Sequence, residues 1–191
     1  MSTPISHFRH CPRCGRPWTR SGGEPLVHCT GCDFLLHFNP TVGVGGFVTD
    51  GAGRLLWGRR AKDPAKGKLA LPGGFVDFGE TAEEALRREI REEVNLAVGP
   101  LQFLCSQPNE YPYHGVTYAV LDLFFVAPAL GVTALRALDG VESVHWIAPG
   151  ELDLNDVAFP SVRRAVEVFR NTRVAGVPAG DFLVCKPGLP R

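Results

Sequence analysis

The stretch that most constrains this chain runs from Gly73 to Leu96, GGFVDFGETAEEALRREIREEVNL. It joins a glycine-rich turn to a strongly acidic helical segment. Thr81 precedes the run and Glu84 follows three residues later. At that spacing a hydroxyl and a carboxylate cap the free N–H groups of a first turn reciprocally. Ala85, Leu86, Ile90 and Val94 recur at helical intervals and predict one apolar stripe. Glu89, Glu92 and Glu93 stand at i, i+3 and i+4, so their carboxylates share a face. Like charges placed this way destabilise an isolated helix by roughly a few tenths of a kcal/mol per pair, so a compensating cation is expected. Oxygen donors of this kind suit hard divalent ions such as Mg²⁺ or Mn²⁺, and such ions suit phosphate substrates.

The segment resembles the Nudix box, G-x5-E-x7-R-E-U-x-E-E-x-G-U with U an aliphatic residue. Gly74, Glu80, Arg88, Glu89, Ile90, Glu92, Glu93 and Leu96 fall on its fixed positions. Asn95 stands where the family has glycine. Asparagine is the non-glycine residue most tolerant of positive φ, so a left-handed cap is still expected there. The resemblance implies an α/β/α sandwich with a mixed sheet and helices on both sides. It also implies hydrolysis of a nucleoside diphosphate linked to a second group. Glu89, Glu92 and Glu93, with the carbonyl of Gly74, would hold the catalytic Mg²⁺ or Mn²⁺. Arg88 would orient those glutamates by ion pairing, and Glu80 would position the loop and helix. In some members the central glutamate, Glu92 here, is also the general base. In others the base comes from a downstream loop, where Asp139, Glu142 and Glu151 are candidates and Glu142 is preferred.

Four cysteines form two close pairs, Cys11-Pro-Arg-Cys14 and Cys29-Thr-Gly-Cys32, with fourteen residues between them. The N-terminus, MSTPISHFRH, lacks the apolar core of a signal peptide, so metal is favoured over disulfides. Each Cys-x-x-Cys turn offers two thiolates, and two such knuckles complete a tetrahedron, as in a structural Cys₄ zinc ribbon. Gly15 and Gly31 are expected to supply the permissive backbone of the knuckles. With every position filled by protein, such a site keeps none open for catalysis. Cys105 and Cys185 stand in apolar surroundings and read as buried packing residues.

Residues 1–38 therefore form a ribbon that needs its metal to fold, with Phe34, Leu35, Leu36 and Phe38 expected to pack it on a larger domain. Residues 39–173 form that domain, and 174–191 a tail containing a strand-like run, Phe182–Cys185. Strands are expected over 41–49, 54–60, 98–106, 116–127 and 143–147, and a second amphipathic helix over 160–171, started by Pro160. Strands interleaved with two helices indicate an α/β class. Among the cations after the second strand, a lysine or Arg59 is a candidate to face phosphates. Lys+Arg and Asp+Glu are equal at 20 each, so no net field draws the chain to nucleic acid or membrane. No apolar run approaches the ~20 residues of a membrane span, and a soluble cytoplasmic protein is expected.

Ser106-Gln-Pro-Asn-Glu-Tyr-Pro-Tyr113 resembles the S-Q-P-W-P-F-P-x-S signature of zinc-ribbon NADH pyrophosphatases, which carry it at the same place after the box. Asn109 replaces the tryptophan, Glu110 a proline and His114 the final serine. The resemblance implies a substrate loop using Gln107, Tyr111 and Tyr113, a rigid aromatic platform for a base. The substrate implied is NAD(H), ADP-ribose or a related dinucleotide, with AMP released. A nucleotide- or RNA-binding sensor is the alternative, as Arg9, Arg13, Arg16 and Arg20 make a modest basic strip. A hydrolase acting on a dinucleotide cap of RNA lies between the two. A homodimer built through the ribbon is a further expectation.

Overall fold

The computed structural model of the protein describes residues 2–18 and 26–174. Phe182–Cys185, and with it Cys185, lies outside the described residues. The strands are β1 (Leu26–His28), β2 (Leu35–His37), β3 (Thr41–Thr49), β4 (Leu55–Arg60), β5 (Leu69–Ala70), β6 (Gln102–Tyr113), β7 (Val116–Pro128) and β8 (Val141–Ile147). The helices are α1 (Ala82–Val94) and α2 (Pro160–Val174). Six strands make one sheet in the order β5-β4-β3-β7-β6, with β8 paired to β4. β8 runs antiparallel along the whole of β4, from Leu55 opposite Ile147 to Arg60 opposite Val141. The other edge of β4 meets β3 at Leu55 and β5 at Gly58 and Arg59. The class is α/β with a mixed sheet, as the sequence implied.

Strand periodicity explains why the sheet takes a helix on each face. Adjacent residues point to opposite sides of a strand, and Phe47 and Val48, Leu55 and Leu56, and Phe124 and Phe125 divide in this way between two cores. Phe47, Leu55, Trp57 and Phe124 pack with Val162, Ala165, Val166 and Phe169 of α2. Val48, Leu56 and Phe125 pack with Ala85, Leu86, Ile90 and Val94 of α1. Both predicted apolar stripes are fully buried. At about 1.5–3 kcal/mol for each large apolar side chain, these two layers fix where the polar face of α1 can lie.

Two expectations for the middle of the chain need correction. Continuous pairing starts at Gln102 rather than Val98, which makes only an isolated bridge with Ala129. The segment Ser106–Tyr113, expected as a loop, is strand throughout and forms most of β6. The turn falls later because His114 and Gly115 both have positive φ, 46° and 79°, the two-residue hairpin geometry that matches strand twist. Pro108 and Pro112 can sit in β6 because it is an edge of the sheet, where a missing N–H breaks no ladder bond.

Among the described residues, those within Met1–Thr41 and Glu110–Val120 group into one compact unit, and those within Val42–Asn109 and Leu121–Arg191 into another. The first therefore takes in the β6–β7 hairpin end as well as the cysteine segment. There Ser2 bridges Val116, and its carbonyl accepts the Thr117 N–H at 2.8 Å. β1 and β2 pair antiparallel, Val27 opposite Leu36. Phe38 packs edge-on against Phe8 inside this unit, with ring centroids 5.0 Å apart, while Leu35 is exposed.

Candidate functional site

Helix α1 begins as its sequence dictates. The Thr81 hydroxyl accepts the Glu84 N–H at 3.2 Å, and the Glu84 carboxylate accepts the Thr81 N–H at 2.9 Å. The Thr81 N–H and then its hydroxyl, each donating at 2.9 Å, hold the Glu84 carboxyl below its ordinary value. The helix ends at Asn95, whose left-handed backbone (φ 50°, ψ 46°) donates its N–H to Arg91 O, so the expected cap forms without glycine. With Ala85, Leu86, Ile90 and Val94 facing the sheet, Glu89, Glu92 and Glu93 emerge along one margin of the helix.

Arg88 organises that margin. Its Nε and Nη2 donate to the two Glu80 oxygens at 2.7 and 3.0 Å, a bidentate pair. Its Nη1 donates to Glu89 at 2.8 Å and Glu92 at 3.1 Å, and Nη2 also reaches the Phe75 carbonyl. One guanidinium thus ties the glycine-rich loop to two of the three acidic residues. Charge-assisted forks of this kind add geometric specificity as well as energy. The Glu80 carboxyl is held below its usual range chiefly by Arg88.

The other glutamates carry the opposite shift. Burial raises the Glu89 carboxyl despite Arg88, and its side chain is 17% exposed. Burial pushes Glu93 up to about 8, opposed by the Gly73 N–H that donates to it at 3.0 Å and reinforced by the charge of Glu89. Glu92 is 56% exposed. The turn is pressed against them: a Cβ on Gly73 would overlap the Val44 carbonyl, and one on Gly74 would overlap the Glu89 carboxylate. The Gly74 carbonyl accepts the Val44 N–H at 2.9 Å, leaving it one lone pair. A small recess of about 30 Å³, room for about one water, is lined by Arg60, Pro72, Gly73 and Glu93 with Gly140 and Val141. Hard carboxylate donors, two of them raised by burial, fit a divalent cation that would compensate the cost of ionising them there.

Downstream, the candidate acids stand in different settings. Asp139 is 83% exposed and ion-paired to Lys62 at 3.1 Å. Glu142 is exposed and lies in β8, not before it. It is the residue left over where β8 slips register, between Val141 opposite Arg60 and Ser143 opposite Arg59, and bulges of this kind re-aim side chains beside active sites. Glu151 is exposed in the turn after β8. Arg59, a candidate to face phosphates, is engaged by Asp156 at 3.1 Å and by the Gly67 carbonyl. Lys68 is similarly engaged by Asn155 O at 3.1 Å and lies 3.8 Å from Asp156.

In the smaller unit, the sulfurs of Cys11, Cys14, Cys29 and Cys32 all lie within 4.8 Å of one another. Cys11–Cys32 and Cys14–Cys29 are each 3.7 Å apart. That far exceeds a disulfide bond, about 2.05 Å, and matches the edge of a tetrahedron with metal–sulfur bonds of about 2.3 Å, roughly 3.8 Å. The cluster is thus shaped to bind a metal. The backbone differs from expectation at one knuckle. Gly15 takes positive φ (72°) in the first, but in the second that conformation falls on Asp33 (60°), not Gly31. A Cβ on Gly31 would overlap the end of the exposed Arg16 side chain, which would have to move aside. The Gly31 N–H draws the Cys29 thiol down to about 6.

Residues 39–169 match the family model described as NUDIX domain. The chain belongs to the NUDIX family. Among curated relatives, an ADP-ribose pyrophosphatase of Methanocaldococcus jannaschii is 37% identical over 126 residues, 65% of this chain and 68% of that protein. The NAD-capped RNA hydrolase NudC of Pseudomonas fluorescens is 30% identical over 152 residues, 78% of this chain and 51% of its own length. The chain spans about half the length of the NudC relatives it matches. Among solved structures, a NUDIX hydrolase from Nitrosomonas europaea superposes with a TM-score of 0.68 at 25% identity, covering 90% of this chain and 96% of that one.

The NUDIX reading of α1 left part of the site unseen. Arg60, which lines the Glu93 recess, donates Nε to Pro64 O at 2.7 Å, and its guanidinium lies 5.1 Å from the Phe159 ring centroid. Gln107 and Pro108 are gripped by Arg164 of α2, whose Nε reaches Gln107 at 3.0 Å. Next to them Asn109, in the place of a family tryptophan, hydrogen-bonds Asp122, which also accepts the buried Ser161 hydroxyl at 2.6 Å. Burial raises the Asp122 carboxyl. The sequence did carry a signal, because Asp122 is the one charged residue of β7. Tyr111 and Tyr113 lie in the smaller unit with ring centroids 6.3 Å apart, and Tyr113 is half exposed.

Proposed function

We propose that this NUDIX chain hydrolyses the diphosphate bond of a nucleoside diphosphate linked to a second group, with NAD(H), ADP-ribose or a related dinucleotide as substrate. The observation that carries the reading is the acidic margin of α1, where Glu93 and Glu89 meet the Gly73–Gly74 turn and Arg88 holds Glu89 and Glu92. The names of the relatives support the substrate class, and the altered Ser106–Tyr113 segment is compatible with it. Glu89, Glu92 and Glu93, with the carbonyl of Gly74, would hold the catalytic Mg²⁺ or Mn²⁺. A bound divalent ion neutralises diphosphate charge and lowers the pKa of a coordinated water. Arg88 keeps the carboxylates in place before substrate arrives, so little reorganisation is needed during reaction. Glu142, at its bulge, accepts the proton of the attacking water, with Glu92 the other candidate. Water adds across the P–O–P bridge, giving AMP and nicotinamide mononucleotide from NAD, or AMP and ribose 5-phosphate from ADP-ribose.

Gln107, Tyr111 and Tyr113 contribute to substrate binding. Zinc in the cysteine cluster is structural, and the smaller unit supports the hairpin that carries the tyrosines and contributes to a homodimer. A second reading, action on a dinucleotide cap at an RNA end, is favoured by the described part of the basic strip, Arg9, Arg13 and Arg16, all exposed. The test is a panel of NAD(H), ADP-ribose, dinucleoside polyphosphates and NAD-capped RNA, with Mg²⁺ or Mn²⁺. At least one should be cleaved, and Glu92→Gln should lower kcat about tenfold or more, as loss of charge stabilisation of roughly 1.4 kcal/mol or more would. Turnover of no panel member, or a fully active Glu92→Gln, would remove the proposal.

A further inference from the structure

We infer that Asn95, in the place of the NUDIX box glycine, is a positioning residue that ties the β7–β8 connection to the metal-binding helix and so fixes one wall of the active-site recess. The inference rests on the reading of that recess as a hydrolytic site. A glycine would satisfy the left-handed cap as well as asparagine does, so the backbone alone does not account for the residue. The side chain adds something a glycine cannot: its Nδ2 donates to the Ala134 carbonyl at 2.9 Å, across 39 positions of sequence.

That bond is the first of a series. Continuing along the connection, the Arg136 N–H donates to Val94 O at 3.2 Å and the Leu138 N–H to Glu93 O at 2.8 Å. These two carbonyls belong to the last turn of α1, which has no partners of its own inside the helix. The connection thus caps α1 from outside, and one of its anchors is the backbone of a metal-ligand residue. Two residues beyond Leu138, Gly140 and Val141 line the recess beside Glu93. The Ala61 N–H holds Gly140 O at 2.9 Å from the far side. Among the bonds that join the connection to α1, Asn95 contributes a side chain, a part that substitution can remove while the backbone bonds keep their chemistry.

The experiment compares wild type with Asn95→Gly, which keeps the cap and loses the donor, and Asn95→Asp, which keeps the shape and cannot donate. Amide hydrogen exchange is followed at Arg136 and Leu138, with and without Mn²⁺, alongside kcat and KM on the best panel substrate. Both variants should exchange at least about fivefold faster at these amides, as loss of one hydrogen bond allows, with the Ala85–Ile90 amides unchanged. kcat should fall about three- to tenfold while KM stays within about twofold. Mn²⁺ should slow exchange at Leu138 in wild type and clearly less in the variants. Unchanged exchange in both variants, faster exchange with unaltered kcat, or equal Mn²⁺ responses would each overturn the assignment. Absence of turnover in wild type would instead count against the hydrolase reading, and the Mn²⁺ exchange comparison would still decide the tether.

Discussion

The cysteine cluster and the acidic margin of α1 are opposite solutions to gathering anionic ligands. The cysteine cluster is closed: four sulfurs lie within 4.8 Å, supplied by two short knuckles. The α1 margin is open: Glu92 is more than half exposed, and a recess remains between Glu93, Arg60 and Val141. Closed tetrahedra serve structure, and sites that leave room for water and substrate serve chemistry. The difference extends to what holds each set together. Without metal, the thiols have little beyond one another and their backbone N–H groups, whereas the glutamates are already arranged by Arg88, Gly73 and two packed cores.

That contrast makes metal removal the sharpest way to break it. Cys11→Ser, or chelation of the wild type, should abolish hydrogen-exchange protection across β1 and β2, because structural zinc contributes about 10–16 kcal/mol to small sites. The α1 and α2 amides should keep theirs. Retention of β1 and β2 without metal would show that the cluster is not what holds the smaller unit. Arg88→Ala should come next. It leaves Glu80, Glu89 and Glu92 without their shared cation, and should lower stability by about 1–3 kcal/mol and weaken Mn²⁺ binding, read by denaturant unfolding and metal titration. Arg88→Lys should recover only part, since an ammonium cannot make the bidentate pair with Glu80.

The smallest effect is a pH dependence that separates the two centres. Glu93 is raised from 4.5 to about 8 in the folded chain, so the folded state binds the extra proton. The stability it gives is fully present below pH ~4.5 and is lost as pH rises through about 8. Glu89 is shifted in the same direction, whereas the lowered Glu80 and Glu84 act only as pH falls below their ordinary range. The difference in Tm between metal-free wild type and Glu93→Gln should therefore move against wild type between pH 5 and 9, by roughly a few degrees. Mn²⁺ should stabilise wild type more at pH 8.5 than at 5.5. A difference that moved the other way would contradict the buried setting of Glu93.

How much of this was legible beforehand follows from where the partners lie in the chain. The cap at Thr81, the stripe from Ala85 to Val94, the shared face of Glu89, Glu92 and Glu93, and the two knuckles all rest on residues a few positions apart. Their geometry is set by helix and turn repeats. The segment Ser106–Tyr113 misled because two prolines and two tyrosines read as a loop, when the turn belonged to His114–Gly115 and the edge position tolerated the prolines. Asn109 looked like a lost aromatic ring. In the fold it is a hydrogen-bond partner of Asp122, held where Ser161 and Arg164 of α2 meet β6 and β7.

The sequence by itself therefore determined the family, the acidic helix with its caps, and the cysteine cluster, because repeating backbone geometry carries spacing directly into space. Only the tertiary structure decided which cations are engaged elsewhere, where Arg60 stands, and what Asn95 and Asn109 do. Arg59 meets Asp156, Arg164 meets Gln107 and Asn95 meets Ala134 across 97, 57 and 39 positions. Such contacts exist only after two helices have been pressed onto opposite faces of one sheet, and no local repeat encodes them.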